Sequence, residues 1–263
     1  MEEAYRKSYR ELYFGHWWWR AREEIIVDAI RQAGLTPGGH ILDVGCGGGL
    51  LFPRLAEFGE VEGIEADADS AHESSSGNKI YVGTFDQSFN PPHRYELILL
   101  LDVLEHLPDP EAVLAHAVDL LTPSGLVMVT LPALNSLWTT HDDLNQHLRR
   151  YSKAGFVKLA KQAGLKLRYS RYIFYWLALG KLLVRAKEGI VSTKPTPPGI
   201  PSRLINETLY RACLWEDAML RRLPIPFGNS LIAIGARAAP APPRADRIEE
   251  PHSARVQLRK DLK

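Results

Sequence analysis

The sequence predicts an α/β fold, with a mostly parallel sheet flanked by crossover helices. Two observations predict it. Between positions 40 and 131, apolar runs of strand length alternate with helical segments, as strands returning through crossovers require. The first run, Ile41-Leu42-Asp43-Val44, breaks into Gly45-Cys46-Gly47-Gly48-Gly49, and Leu50, Leu51 and Phe52 then open a helix. Glycine has no Cβ, so such a turn admits positive φ and lets a ligand lie against the backbone. The N–H groups of a helix starting there suit a carboxylate or phosphate. A nucleotide-like ligand is the first expectation.

The elements follow in order. Residues 1–37 read as a helical cap, with Ile25, Ile26, Ala29 and Ile30 on one apolar stripe. His16-Trp17-Trp18-Trp19 precedes that stripe, and three consecutive tryptophans cannot all face one core. Either they pack on the domain and its surface, or they cap a substrate site with Arg20 or Arg22 meeting an anion. The second strand, 61–65, ends at Glu65, twenty positions after Gly45. A carboxylate at that tip can accept both hydroxyls of a ribose, or can simply be solvated. The third strand, 79–82, leads to Asp86, a candidate for an adenine amino group or a turn acid bonding its own backbone. The fourth, 95–101, ends at Leu101 and Asp102, and the turn Thr122-Pro123-Ser124-Gly125 introduces the fifth, 126–131. Residues 152–164 form a helix between Ser152 and Gly164. Strands at 165–173 and 229–236 complete the pattern.

Which nucleotide binds is a matter of spacing. Dinucleotide sites read G-x-G-x-x-G, whereas this turn reads G-x-G-G-G with Leu50 at the last glycine's place. Asp43 stands two residues before the first glycine, which disfavours a pyrophosphate and suits an ammonium. No Lys-Ser or Lys-Thr follows, so a Walker-type loop is excluded. In this combination, residues 38–174 resemble the class I S-adenosylmethionine-dependent methyltransferases. The resemblance implies a Rossmann-like seven-stranded methyltransferase sheet whose last strand is antiparallel. It also implies S-adenosylmethionine as cofactor, with Asp43, Gly45, Cys46 and Gly47 at its methionine end, Glu65 at the ribose and Asp86 at the adenine. Leu101 and Asp102 would line the floor near the sulfonium.

About 55 residues separate the last two strands, too many for a plain loop. Residues 175–228 are therefore expected to be a helical insertion before the final core strand, 229–237. The stretch 172–222 mixes aromatic and aliphatic bulk with Arg171, Lys181, Arg185 and Lys187, and a Pro-rich break at 194–201 divides it. It is either a lid over the site or a peripheral contact with a membrane interface. Both suit a small-molecule or lipid-like acceptor. The tail, 238–263, is rich in Ala, Pro and charge and reads as disordered.

Candidate acceptor-side groups cluster after the fifth strand, where parallel sheets bind ligands. His141 is the first candidate for a base and His147 the second. Trp138, Arg149, Arg150 and Tyr151 are candidates for substrate contacts. The alternative is a self-stabilising loop in which Arg149 and Arg150 pair with Asp142 or Asp143. This segment also resembles that of the type 11 and type 12 methyltransferases. Asp102, Glu105 and His106 are similar to the metal-binding E-x-x-E-H of two subgroups, ubiquinone-pathway O-methyltransferases and small-RNA 2′-O-methyltransferases, with Asp shortening one arm. No metal is expected, because Glu105 and His106 also suit a helix start beneath the site.

Composition narrows the setting. A formal net charge of +1 gives no reason to expect nucleic acid, and no basic stripe accompanies the site. Cys46 lies in the glycine turn and Cys213 far along the chain, so a disulfide is not expected and a reducing, cytoplasmic setting is. The charged opening, Met1 to Lys7, predicts no signal peptide. The reading is a methyltransferase, with O-methylation ahead of N or C. Two rivals are a non-catalytic regulatory module that holds S-adenosylmethionine and an NAD-dependent oxidoreductase.

Overall fold

In the computed structural model, which describes residues 3–72, 79–190 and 198–238, the chain opens with α1 (Glu3–Gly15) and α2 (Trp17–Ala33). The N-terminal segment is thus two helices, divided at His16, whose ring accepts from the Trp18 N–H and caps α2. Gly34, at φ 67°, ends it. Then come β1 (Gly39–Val44), α3 (Phe52–Leu55), β2 (Gly59–Glu65), α4 (Ala68–His72), β3 (Lys79–Val82) and β4 (Tyr95–Leu101). A 3-10 turn (Leu104–His106) precedes α5 (Pro110–Asp119) and β5 (Leu121–Pro132). The remainder is α6 (Thr140–Leu144), α7 (Lys153–Gln162), β6 (Leu165–Ile173), α8 (Tyr175–Glu188), α9 (Arg203–Leu220) and β7 (Ser230–Arg237).

The strands form a seven-stranded sheet in the order β3-β2-β1-β4-β5-β7-β6. Only β7 runs against its neighbours. Strand order reverses beside β1, which pairs with β2 on one side and β4 on the other. Such a switch point leaves a crevice beyond the carboxyl ends of the strands. Both faces of the sheet are covered, which is why β4 is apolar almost throughout. Leu42, Ile98, Leu100, Val127 and Val129 face α5 and α7. Ile41, Leu97, Leu99, Leu126 and Met128 face α2, through Ile25, Ile26 and Ile30.

Three expectations change. The helix after the glycine turn is a single turn starting at Phe52, because Gly47 and Gly49 both hold positive φ and Leu50 still belongs to the turn. β5 starts at Leu121 and absorbs the Thr122–Gly125 turn, which lies against a register shift in β4. The Glu105–His106 segment is a short 3-10 turn rather than the start of a longer helix. The tail after residue 238 and the first half of the Pro-rich break, 194–197, lie outside the described residues.

The insertion is anchored on the domain. Glu216 of α9 accepts from the Tyr175 and Trp176 N–H groups, capping α8 from another helix. Arg171 pairs with Asp217 at 2.6 Å. The Asn206 side chain accepts from the Trp17 N–H and donates to the Gly15 carbonyl, tying α9 to the break between α1 and α2.

Candidate active site

A cavity of about 660 Å³ opens at the carboxyl ends of the central strands, covered by α1, α2 and α8. One side belongs to the glycine turn. Gly45 and Gly47 hold φ of 70° and 53°, and a Cβ on Gly47 would meet no atom within 4 Å. The Gly47 backbone therefore faces open space. Next to it, Gly63 keeps the turn close to the sheet, since a Cβ there would lie 2.4 Å from the Cys46 sulfur. Glu65 accepts from the Gly47 N–H at 2.8 Å and the Asp67 N–H at 2.9 Å. Asp43 is buried, and that burial raises its carboxyl to about 7, with Arg22 acting in the opposite direction. Burial likewise pushes the Cys46 thiol up, so it stays a protonated, unreactive group.

Leu101 and Asp102 form the floor. Asp102, at φ 60°, pairs with Arg22 of α2 at 2.6 Å, and Arg22 also donates to Thr130. Arg20 instead pairs with Glu207 on α9. Of the three tryptophans, Trp17 and Trp19 are buried and Trp18 is half-buried, and all three line the cavity.

The other side centres on Asp142, which is fully buried. It forms a capping box with Thr139 that starts α6. Its Oδ1 accepts from His147 Nδ1 at 2.9 Å and Arg150 Nε at 2.7 Å, and its Oδ2 accepts from the Thr139 N–H. Lys181 of α8 completes the surround at 3.5 Å. Burial opposes ionisation, yet the His147 hydrogen bond and the Lys181 and Arg150 charges hold this carboxyl well below its usual range. Burial, then Lys181, lowers His141 to about 4.

Beneath this cluster, Glu105 is fully buried and neither carboxylate oxygen has a hydrogen-bond partner. Burial and then Asp102 raise its pKa strongly. His106 and His147 stand edge to face, 4.9 Å between ring centroids. Ligand atoms of Glu105, His106 and His147 lie within 4.8 Å of one another. Asp102 is not part of this trio and pairs with Arg22.

The cavity thus brings together Asp43, Gly45, Cys46, Gly47, Glu65, Leu101, Asp102, Glu105, His106, His141, His147 and Arg150. Four expected residues are not on its wall. Asp86 spends its carboxylate on Thr84 and Ser88 within its own turn, which holds it at about 2. Trp138 donates to Asp143, Arg149 to the Pro108 carbonyl and Tyr151 to the Leu104 carbonyl. Asp86 and Trp138 bond within their own loops, whereas Arg149 and Tyr151 reach across to the segment that follows β4. Sequence reasoning missed Lys181 as a site residue. The available signal was a single Lys interrupting the apolar Leu177–Val184 stretch.

Residues 18–170 match the family described as "Methyltransferase domain". A ubiquinone biosynthesis O-methyltransferase of Nitrosospira multiformis is 32% identical over 131 residues, covering 43% of this chain and 54% of that protein. Its counterpart in Shewanella sp. strain ANA-3 is 34% identical over 106 residues, covering 37% and 45%. The chain spans about half the length of these curated relatives. Among solved structures, a TehB-like SAM-dependent methyltransferase from Corynebacterium glutamicum aligns with a TM-score of 0.51 at 19% identity, covering 89% of this chain and 97% of that one. The fold and its switch-point cavity define a class I methyltransferase architecture. This chain belongs to the methyltransferase-domain family, whose methyl donor is S-adenosylmethionine.

Proposed function

We propose that this protein transfers a methyl group from S-adenosylmethionine to an oxygen of a small or lipid-like acceptor. One observation carries the reading. A glycine cradle with two acids, Asp43 and Glu65, faces a carboxylate-oriented histidine, His147, across one cavity. The cradle fits the donor: Gly47 has room where a Cβ would stand, and Glu65 offers two acceptor oxygens at a strand tip. In this assignment Gly45, Cys46, Gly47 and Asp43 hold the methionine end and Glu65 the ribose. Leu101 would line the floor near the sulfur. The bound sulfonium supplies the activated methyl group. The protein's own contribution is alignment, exclusion of water and acceptance of a proton.

His147 takes precedence over His141 as the base. Asp142 fixes the His147 tautomer through Nδ1, leaving the other nitrogen for an acceptor hydroxyl. His141, held near 4, is a weak proton acceptor at neutral pH. Arg150 is occupied by Asp142 and the Ala133 carbonyl, so it positions the carboxylate.

The unpartnered Glu105 oxygens favour a second reading of this corner. Glu105, His106 and His147 fit a divalent cation, and two imidazoles favour a transition metal over Mg²⁺. Such an ion would lower the pKa of an acceptor hydroxyl. Chelation separates the two readings, because a His147-based reaction survives it and a metal-assisted one does not.

The curated relatives and the exposed insertion support a lipid-like acceptor. Leu179, Leu182, Leu183 and Ile190 are exposed along α8 and beyond its end, as are Leu204, Trp215 and Met219 on α9. No helix among the described residues is long and apolar enough to cross a membrane. A peripheral contact through these faces accords with both observations.

The decisive experiment combines calorimetric titration of S-adenosylhomocysteine with detection of its formation from S-adenosylmethionine and a hydroxylated acceptor. Binding with turnover is expected. Binding without turnover across an acceptor panel favours the regulatory module, and heat with NAD alone favours the oxidoreductase.

A further inference from the structure

Three described residues of the insertion reach the cavity wall: Leu177, Lys181 and Pro198. On α8 the usual orientation is inverted. Leu179, Leu182 and Leu183 face water, the last 75% exposed, while the Lys181 side chain is 16% exposed. Lysine is rarely buried without a partner, because removing an ammonium from water is costly.

The neutralisation available to Lys181 is incomplete. Asp142 lies 3.5 Å away, beyond the roughly 2.7–2.9 Å of a charge-assisted hydrogen bond. That carboxylate already takes Arg150, His147 and the Thr139 N–H at 2.9 Å or less. Glu188, the other nearby acid, accepts from the Thr140 N–H and hydroxyl. One shared carboxylate therefore faces two cations, Arg150 and Lys181. Burial, then Arg150, lowers Lys181 to about 8, as expected of an ammonium short of counter-charge. Across the cavity the acids Asp43 and Glu65 are grouped on the glycine side. Arg150 and Lys181 stand at the acceptor end above the buried Glu105, while Arg22 is paired with Asp102 on the floor. Trp17, Trp18 and Leu177 supply apolar surface around them.

We infer that Lys181 is a specificity-determining residue that receives a carboxylate on a flat, apolar acceptor. The inference builds on the donor-site reading, which places the acceptor beside His147. An acid entering the cavity supplies the counter-charge that Asp142 divides between Arg150 and Lys181. It also anchors one end of the acceptor while its body lies along the tryptophans.

The test uses 2-naphthoate and its uncharged analogue 2-naphthamide, titrated calorimetrically into the full chain loaded with S-adenosylhomocysteine. The native protein is expected to prefer the acid by about tenfold or more, the size of one charge-assisted contact. Lys181→Met abolishes that preference, Lys181→Arg retains most of it, and both variants bind S-adenosylhomocysteine like the parent. The inference fails if the native protein binds neither probe or does not distinguish them, or if Lys181→Met keeps the preference. It also fails if that variant loses both probes and the donor product together, the signature of a structural role. Absence of heat with S-adenosylhomocysteine overturns the donor-site reading instead. The acid–amide comparison on the unloaded protein then still decides Lys181.

Discussion

Asp142 is the residue on which the acceptor side depends. It is a helix cap, the orienting partner of His147 and the counter-ion of Arg150 and Lys181. Removing one partner of a buried ionic cluster leaves uncompensated charge and costs about 3–5 kcal/mol. Asp142→Asn is therefore expected to lower Tm by roughly 10 °C. It should also reduce kcat more than it weakens S-adenosylhomocysteine binding, which calorimetry checks. At the donor end, Glu65→Ala is expected to weaken that binding by roughly 100-fold or more, the loss of two hydrogen bonds to a charged acceptor at about 1.5 kcal/mol or more each. An unchanged affinity would remove Glu65 from the site. His141 gives a pH signature. Its pKa falls from the ordinary 6.5 in the unfolded chain to about 4 in the folded one. The unfolded state thus binds more protons in between, so stability is full above pH 6.5 and declines as pH falls toward 4. The decline due to this group is up to about 3 kcal/mol. Denaturant titrations from pH 7 to 4 should show a shallower loss in His141→Gln than in the parent.

At the scale of elements, α8 holds two environments apart. Its inner face carries Lys181 and Leu177 toward the cavity, and its outer face carries exposed leucines. Its placement relies on Glu216, which satisfies two N–H groups at its first turn. Glu216→Ala leaves those buried donors unpaired, at about 1–3 kcal/mol each. Hydrogen exchange in α8 is expected to accelerate while exchange in β4 and β5 stays slow. Equal acceleration in both would mean that the insertion and the sheet open as one unit. The cap formed by α1 and α2 is linked to the same insertion through Asn206, so both covers of the cavity meet at α9.

At the scale of the molecule, the insertion both lines the cavity, through Leu177 and Lys181, and exposes leucines to water. Vesicles containing about 30% anionic lipid are expected to co-sediment the protein, and replacing Leu183 and Ile190 with Ser together should release it. Retention of the double variant on vesicles would place any membrane contact elsewhere. Strand positions and the glycine turn were legible from the chain alone, because alternation and φ-permissive glycines are local properties. So was the grouping of Asp43 and Glu65, since both stand at carboxyl ends of neighbouring parallel strands. Asp86, Trp138, Arg149 and Tyr151 have the right chemistry at plausible spacing, but they lie off the cavity wall, each hydrogen-bonded elsewhere. Hydrogen-bond competition of that kind is decided in three dimensions. Local periodicity and turn chemistry thus settled the sheet, the cradle and the order of its elements. Tertiary packing alone sent Arg22 to Asp102 and turned Lys181 toward Asp142, because those pairings join residues 80 and 39 positions apart.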